Sequence, residues 1–167
     1  MIINKLLSKL DTLGQIEQVK AHCDVPCKIY DPGPAIIAAL SVARMIQLME
    51  ELENKGKNDL QAKNTFARYV REKEDQASIC KKEIRIIWGD YFKQPQFDKH
   101  PELHELTHSI MMAASKAKQE PSEGVAHRLV ELVNNFATIF WETKNIETAV
   151  GTSPYPPNLQ VVFPVLK

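Results

Sequence analysis

Glycine is scarce in this chain. Six glycines in 167 residues is about half the usual share of roughly 7%, which argues against a turn-rich all-β design. Cysteine is also sparse: three residues, an odd number, do not make a secreted disulfide scaffold. Neither sign of charge dominates. With 21 basic and 21 acidic side chains the formal net charge is zero, which excludes a nucleic-acid reader held mainly by phosphate neutralisation. No run approaches the roughly 18 consecutive apolar residues of a membrane-spanning helix. A glycine-rich phosphate loop, a Gly-x-Ser-x-Gly elbow and a His-Glu-x-x-His zinc pattern are all missing. No internal repeat interrupts what reads as one domain of ordinary size. Proline is absent between Pro34 and Pro95, while Pro154, Pro156, Pro157 and Pro164 crowd the end. Helices therefore belong in the middle, and the end reads as an extended appendage.

Four segments carry helical periodicity. Ala35, Ala38, Val42, Met45, Met49 and Leu52 repeat at steps of three and four, with Pro34 suited to the start and Gly56 to the end. Phe66, Val70, Ala77, Cys80, Ile84, Ile87 and Tyr91 form a second stripe, interrupted by Lys73, and Gly89 is placed to loosen its last turn. A third stripe runs from Pro101 to about Lys118 on Leu103, Leu106, Ile110, Ala113 and Ala117. A fourth starts near Ser122, a candidate cap, and continues through Val125, Leu129, Leu132, Phe136 and Ile139. Four one-sided helices with short connections predict an all-α, antiparallel four-helix bundle. The longest connection, about a dozen residues, is expected between the second and third helices.

The ends fall outside this plan. Residues 1–21 form an amphipathic stretch on Ile3, Leu6, Leu10, Leu13 and Val19 without the apolar centre of 7–15 residues that an export signal needs. That stretch reads as a fifth helix, a surface-binding tail or a cleavable leader, and the lack of an export signal makes the cytoplasm the expected location. The expected organisation is a separate end segment over 1–21, a body over 22–150 that carries the bundle, and an extended tail over 151–167.

Chemistry is expected where regular patterning stops. The densest such segment is His22-Cys23-Asp24-Val25-Pro26-Cys27-Lys28-Ile29-Tyr30-Asp31-Pro32. Cys-x3-Cys by itself leaves three readings open: metal binding, a redox disulfide, or cysteines without a role. Cys80 lies on an apolar stripe and reads as a buried hydrophobe. His100, His104 and His108 recur at steps of four, and Glu105 precedes His108 at the Glu-x-x-His spacing of di-iron bundles. That architecture needs a second such pair, which is absent here, so these read as ordinary histidines. The charged runs at 50–53 and 71–75 read as solvated helix faces.

Residues 22–32 resemble the N-terminal pattern of the nickel superoxide dismutases, His-Cys-Asp-x-Pro-Cys-x-x-Tyr-Asp-Pro, at every fixed position. Trp88-Gly89-Asp90-Tyr91-Phe92-Lys93 running to Pro101-Glu102-Leu103-His104, and Phe140-Trp141-Glu142-Thr143-Lys144, resemble two further family blocks. The resemblance covers roughly 22–144. It implies a precursor cut between Ala21 and His22 by a maturation protease, and one nickel ion per chain. The implied ligands are the His22 amine, the Cys23 amide nitrogen, and the Cys23 and Cys27 thiolates, with the His22 imidazole axial in the oxidised state.

Such a planar nitrogen and sulfur set suits nickel, where zinc prefers a tetrahedron. The amine is available only once His22 is the chain terminus. Coordination holds the thiolates deprotonated, so loading should fall off in acid. The implied reaction is superoxide dismutation by Ni(II)/Ni(III) cycling in a homohexamer, with no nucleic-acid or membrane partner. The resemblance also gives Tyr30 a role in restricting access to the metal. Asp24 and Pro26 would shape the hook through a cis Val25–Pro26 bond, and Tyr91 would neighbour Tyr30. The alternative is a non-catalytic metal-binding or thiol redox-sensing bundle; a third reading is a structural bundle with idle cysteines. The sequence departs from the family at a glutamate and arginine that steady the imidazole: those positions read Ala38 and Gln76, so the imidazole's support comes from elsewhere or is weaker.

Overall fold

Asp31 starts the first helix by accepting the Gly33 N–H on Oδ1 at 2.6 Å. The structure, a computed structural model, describes residues 28–166. Helix α1 spans Gly33–Asn54 with proline in its first turn, where the missing N–H costs nothing. The chain leaves it through Gly56 at φ +61°, a conformation glycine adopts freely. Helix α2, Leu60–Ile86, is capped by Asp59, which accepts the Ala62 N–H at 2.7 Å.

Around Gly89 the helix widens into a π turn over Ile87–Tyr91, closed by the Phe92 N–H on the Ile87 carbonyl at 3.2 Å. This is the loosened turn that Gly89 suggests. The long connection that follows contains a short helix, α3, over Gln94–Lys99. It has Pro95 in its first turn, and the Gln96 side chain accepts the Lys93 N–H at 3.0 Å. Helix α4 spans Leu103–Gln119 and α5 spans Glu123–Thr143. Ser122 stands at the N-cap of α5, but its side chain makes no capping bond.

The four long helices close a ring: α1 packs on α2 and α5, α4 packs on α5 and α2. Alanines 35, 38, 39 and 43 on α1 are all buried and let the neighbouring backbones approach closely. Ile84, Leu103, Ile110, Leu129, Phe136 and Phe140 fill the centre with no exposure. Each such side chain contributes on the order of 1.5–3 kcal/mol relative to an exposed one. Phe66, expected on the buried stripe, is 38% exposed at the start of α2. Lys73, the polar interruption, is buried: its ammonium donates to the carbonyls of Ala117, at 2.9 Å, and Lys118. It thereby satisfies the last turn of α4, whose carbonyls have no helical partner.

The extended appendage folds back as a hairpin. Strands β1 (Thr148–Thr152) and β2 (Gln160–Pro164) pair antiparallel, with Val150 opposite Val162. The pairing begins at Thr148, a few residues ahead of the expected tail. Asn134 of α5 fixes the hairpin to the bundle: its side-chain amide donates to the Gln160 carbonyl at 2.8 Å and accepts the Val162 N–H at 3.1 Å. Phe163 lies over Gly151, where a β-carbon would sit 3.3 Å from the ring. No helix among the described residues is long and apolar enough to cross a membrane.

Candidate metal centre

His22, Cys23, Asp24, Pro26 and Cys27, with the Val25–Pro26 bond and the leader 1–21, lie outside the described residues. Lys28 has φ 57°, and the described residues that follow it show the surroundings of Tyr30.

Tyr30, three residues after Cys27, is half-buried with its ring 5.5 Å from that of Tyr91 at an interplanar angle of 50°. Tyr91 comes from the π turn and rests on Phe140 of α5 at 4.8 Å. Its hydroxyl lies 2.8 Å from Thr143 Oγ1, and that oxygen lies 2.7 Å from the Phe140 carbonyl. A carbonyl only accepts, so the Thr143 proton points to Phe140 and Tyr91 donates to Thr143. The Lys144 ammonium sits 4.7 Å from the centre of the Tyr91 ring, a cation–π contact. Tyr30 therefore stands on a support made jointly by the π turn and the last turn of α5. Those are the two distal sequence blocks, 88–93 and 140–144. Phe92 joins them in the core, 5.6 Å from Phe136 and edge-on to it.

A groove of about 320 Å³ opens beside Tyr30, lined by Ile29, Asp31, Lys82, Glu83 and Ile87 among others. It is small and mixed in charge, and Ile29, Tyr30 and Asp31 at the start of the described chain form one side of it.

The remaining candidates separate cleanly. Ala38 is buried in the core, and Gln76 donates to Glu72 on its own helix at 2.8 Å, so neither supplies a charge toward the hook. Cys80 is fully buried, and burial pushes its thiol up to about 12, which makes it a hydrophobe rather than a ligand. His100 lies outside α4, buried at the end of α3, while His104 and His108 are exposed on α4. The three do not share one helical face, because the chain bends between α3 and α4. His104 accepts the Trp88 indole N–H at 3.1 Å and stacks on Phe97 at 4.3 Å. Among the described residues no three His, Cys, Asp or Glu side chains are grouped to hold a metal ion. Thr143 and Lys144 were not singled out by sequence reasoning. The available signal was the threonine three residues after Phe140, positioned to bond back to that carbonyl.

A sequence profile described as nickel-containing superoxide dismutase matches residues 17–144. The chain is 38% identical over 126 residues to the nickel superoxide dismutase of Streptomyces coelicolor, covering 75% of this chain and 90% of that protein. To the enzyme of Streptomyces seoulensis it is 35% identical over 127 residues, covering 76% and 91%. Its backbone is similar to a native nickel superoxide dismutase structure, with a TM-score of 0.64 at 36% identity over 74% of this chain and 99% of that one. The same enzyme type with nickel ligation of the oxidised state gives a TM-score of 0.65 at 35% identity, with the same coverage. The profile match stops at 144, so the hairpin lies beyond it.

Proposed function

The chain belongs to the nickel-containing superoxide dismutases, and from that membership we propose that its metal centre is built by residues 22–27 after a cut between Ala21 and His22. The reaction is superoxide dismutation with nickel as cofactor: two superoxide anions and two protons become one dioxygen and one hydrogen peroxide. When bound, nickel supplies a one-electron couple between Ni(II) and Ni(III).

The donor set fits this metal. Cys23 and Cys27 provide two soft anionic sulfurs, and His22 provides an amine and an imidazole. Thiolate and imidazole are donors that late first-row ions favour, whereas hard cations select oxygen. The amine becomes a donor only when His22 is the first residue, since in the intact chain its lone pair is delocalised into a peptide bond. Asp24 shapes the turn between the two cysteines. Tyr30 restricts the approach to the metal, and its bearing on Tyr91 limits how far the ring can swing. Lys82 in the adjoining groove attracts the small anionic substrate electrostatically. The mature chain is a 22–150 body with its 151–167 tail and one nickel, assembled as a homohexamer in the cytoplasm, and a maturation protease supplies the cut.

The observation that carries this reading is the position of Tyr30, three residues beyond Cys27 and held 5.5 Å from Tyr91 by two separate helix ends. The test is Cys27→Ser in processed protein, read by metal analysis and by superoxide consumption. Both nickel retention and turnover are expected to disappear. Full nickel-dependent turnover in that variant would overturn the ligand assignment. Intact mass of protein from its native host is expected to show loss of residues 1–21.

A further inference from the structure

An apolar groove of about 370 Å³ runs between the start of α1 and the hairpin, lined by Ile36, Ile37, Leu40, Trp141, Tyr155 and Phe163 among others. A second hollow of about 380 Å³ shares Ile37, Leu40 and Tyr155 with it and continues along α1 to Met45. Ile37 is 59% exposed, Tyr155 56% and Phe163 45%. Large apolar side chains clustered in this way on a surface mark a docking site. The outer wall is the hairpin, which the family match does not include.

The same chain carries an apolar face in search of a partner. Ile3, Leu6, Leu10, Leu13, Ile16 and Val19 recur at steps of three and four within the leader. A helix bearing them would be about 25 Å long at about 1.5 Å per residue. The leader rejoins the body at Lys28, and Asp31 and Gly33 already line the groove. The residues between Ala21 and Lys28 span at most about 25 Å when extended, enough to let the leader lie back along α1. A tether this short gives an effective concentration in the millimolar range, far above that of a second copy of the chain in dilute solution.

We infer that the groove between α1 and the hairpin is the docking site of this chain's own leader. The hairpin is then a holder for residues 1–21, and the occupancy ends when the leader is cut away. This inference does not depend on the metal ligands: the Cys27→Ser chain is expected to dock its leader normally, so the two readings fail separately.

The test uses the full chain with Ile37, an exposed residue, replaced by the photo-reactive analogue benzoylphenylalanine. Irradiation of an equal mixture of heavy-isotope and ordinary chains is followed by mass spectrometry. Cross-links from position 37 to residues 3–19 are expected, with both ends carrying the same isotope and a yield independent of protein concentration. The double variant Leu6→Asp, Leu10→Asp, which leaves the body untouched, is expected to lower that yield at least tenfold. Mixed-isotope links would show the groove to be an interface between copies and overturn the inference. So would the absence of links to the leader, or a yield unchanged in the double variant.

Discussion

The Tyr30 ring leans on the Tyr91 ring at 5.5 Å, and Tyr91 is in turn fixed by its hydrogen bond to Thr143 at 2.8 Å. Two substitutions separate the ring from the hydroxyl. Tyr91→Phe keeps the ring and loses the bond to Thr143, and is expected to cost about 0.5–1.5 kcal/mol. Tyr91→Ala also removes the surface under Tyr30, and is expected to cost about 2–4 kcal/mol and to lower superoxide turnover more than nickel content. Urea unfolding, metal analysis and pulse-radiolysis turnover check the ordering.

Lys73 closes the end of α4 from inside the bundle. Lys73→Met is expected to destabilise by about 1–3 kcal/mol, since two end carbonyls lose their donor. Burial holds the ammonium below the usual lysine value of 10.5, with Glu74 pulling in the opposite direction. Below the folded value Lys73 is charged in both states and the burial cost is fully present. Between that value and 10.5 the unfolded chain holds more protons, so stability rises with pH. Urea midpoints of wild type relative to Lys73→Met should therefore increase through the alkaline limb.

Cys80 is walled off by Ile84, Ala77 and their neighbours, and its thiol stays protonated up to about 12. In a chain carrying Cys23→Ser and Cys27→Ser, a thiol reagent at pH 8 is expected to label Cys80 only as fast as the protein opens. Prompt labelling in native buffer would contradict its burial. Cys80→Ser is expected to cost about 1–3 kcal/mol by burying a hydroxyl.

Glu142 links α5 to α3 through Lys99 at 2.9 Å. That hydrogen bond and the lysine's charge hold the carboxyl below its ordinary 4.5. The contribution is present above 4.5 and lost as pH falls through the lower folded value. The stability difference between wild type and Glu142→Gln, followed by thermal unfolding, is expected to be greatest near neutrality and to vanish in stronger acid.

The bundle was legible because its evidence is local: apolar residues at helical steps and prolines kept to the margins. The short α3 was legible in part, through Pro95, but six residues are too few for a periodic stripe. The hairpin was hidden because four prolines dominate its composition, and because its hold on the bundle, the Asn134 hydrogen bonds and the buried Val161, is made with residues far away in sequence. Lys73 was seen as an interruption but not as a cap, since its acceptors are 44 and 45 residues distant. The family was legible through the motif at 22–32 and its two companion blocks, and the profile match over 17–144 bears it out, while residues 22–27 themselves lie outside the described residues. The meeting of the two companion blocks under Tyr30 was not legible, apart from the pairing with Tyr91, because Thr143 and Lys144 act through tertiary contacts.

The widened turn at Ile87–Tyr91 accommodates one residue more than a regular coil would. Wound as a regular coil with Gly89 retained, the segment would have no slack for the extra residue, and each later side chain would swing by roughly 100° about the axis. Tyr91 would then point away from Phe140 and Thr143, and Tyr30 would lose its backstop although residues 22–27 had been left unchanged. The phase of a single helical thread thus governs the footing of the tyrosine to which we assign the guarding of the metal.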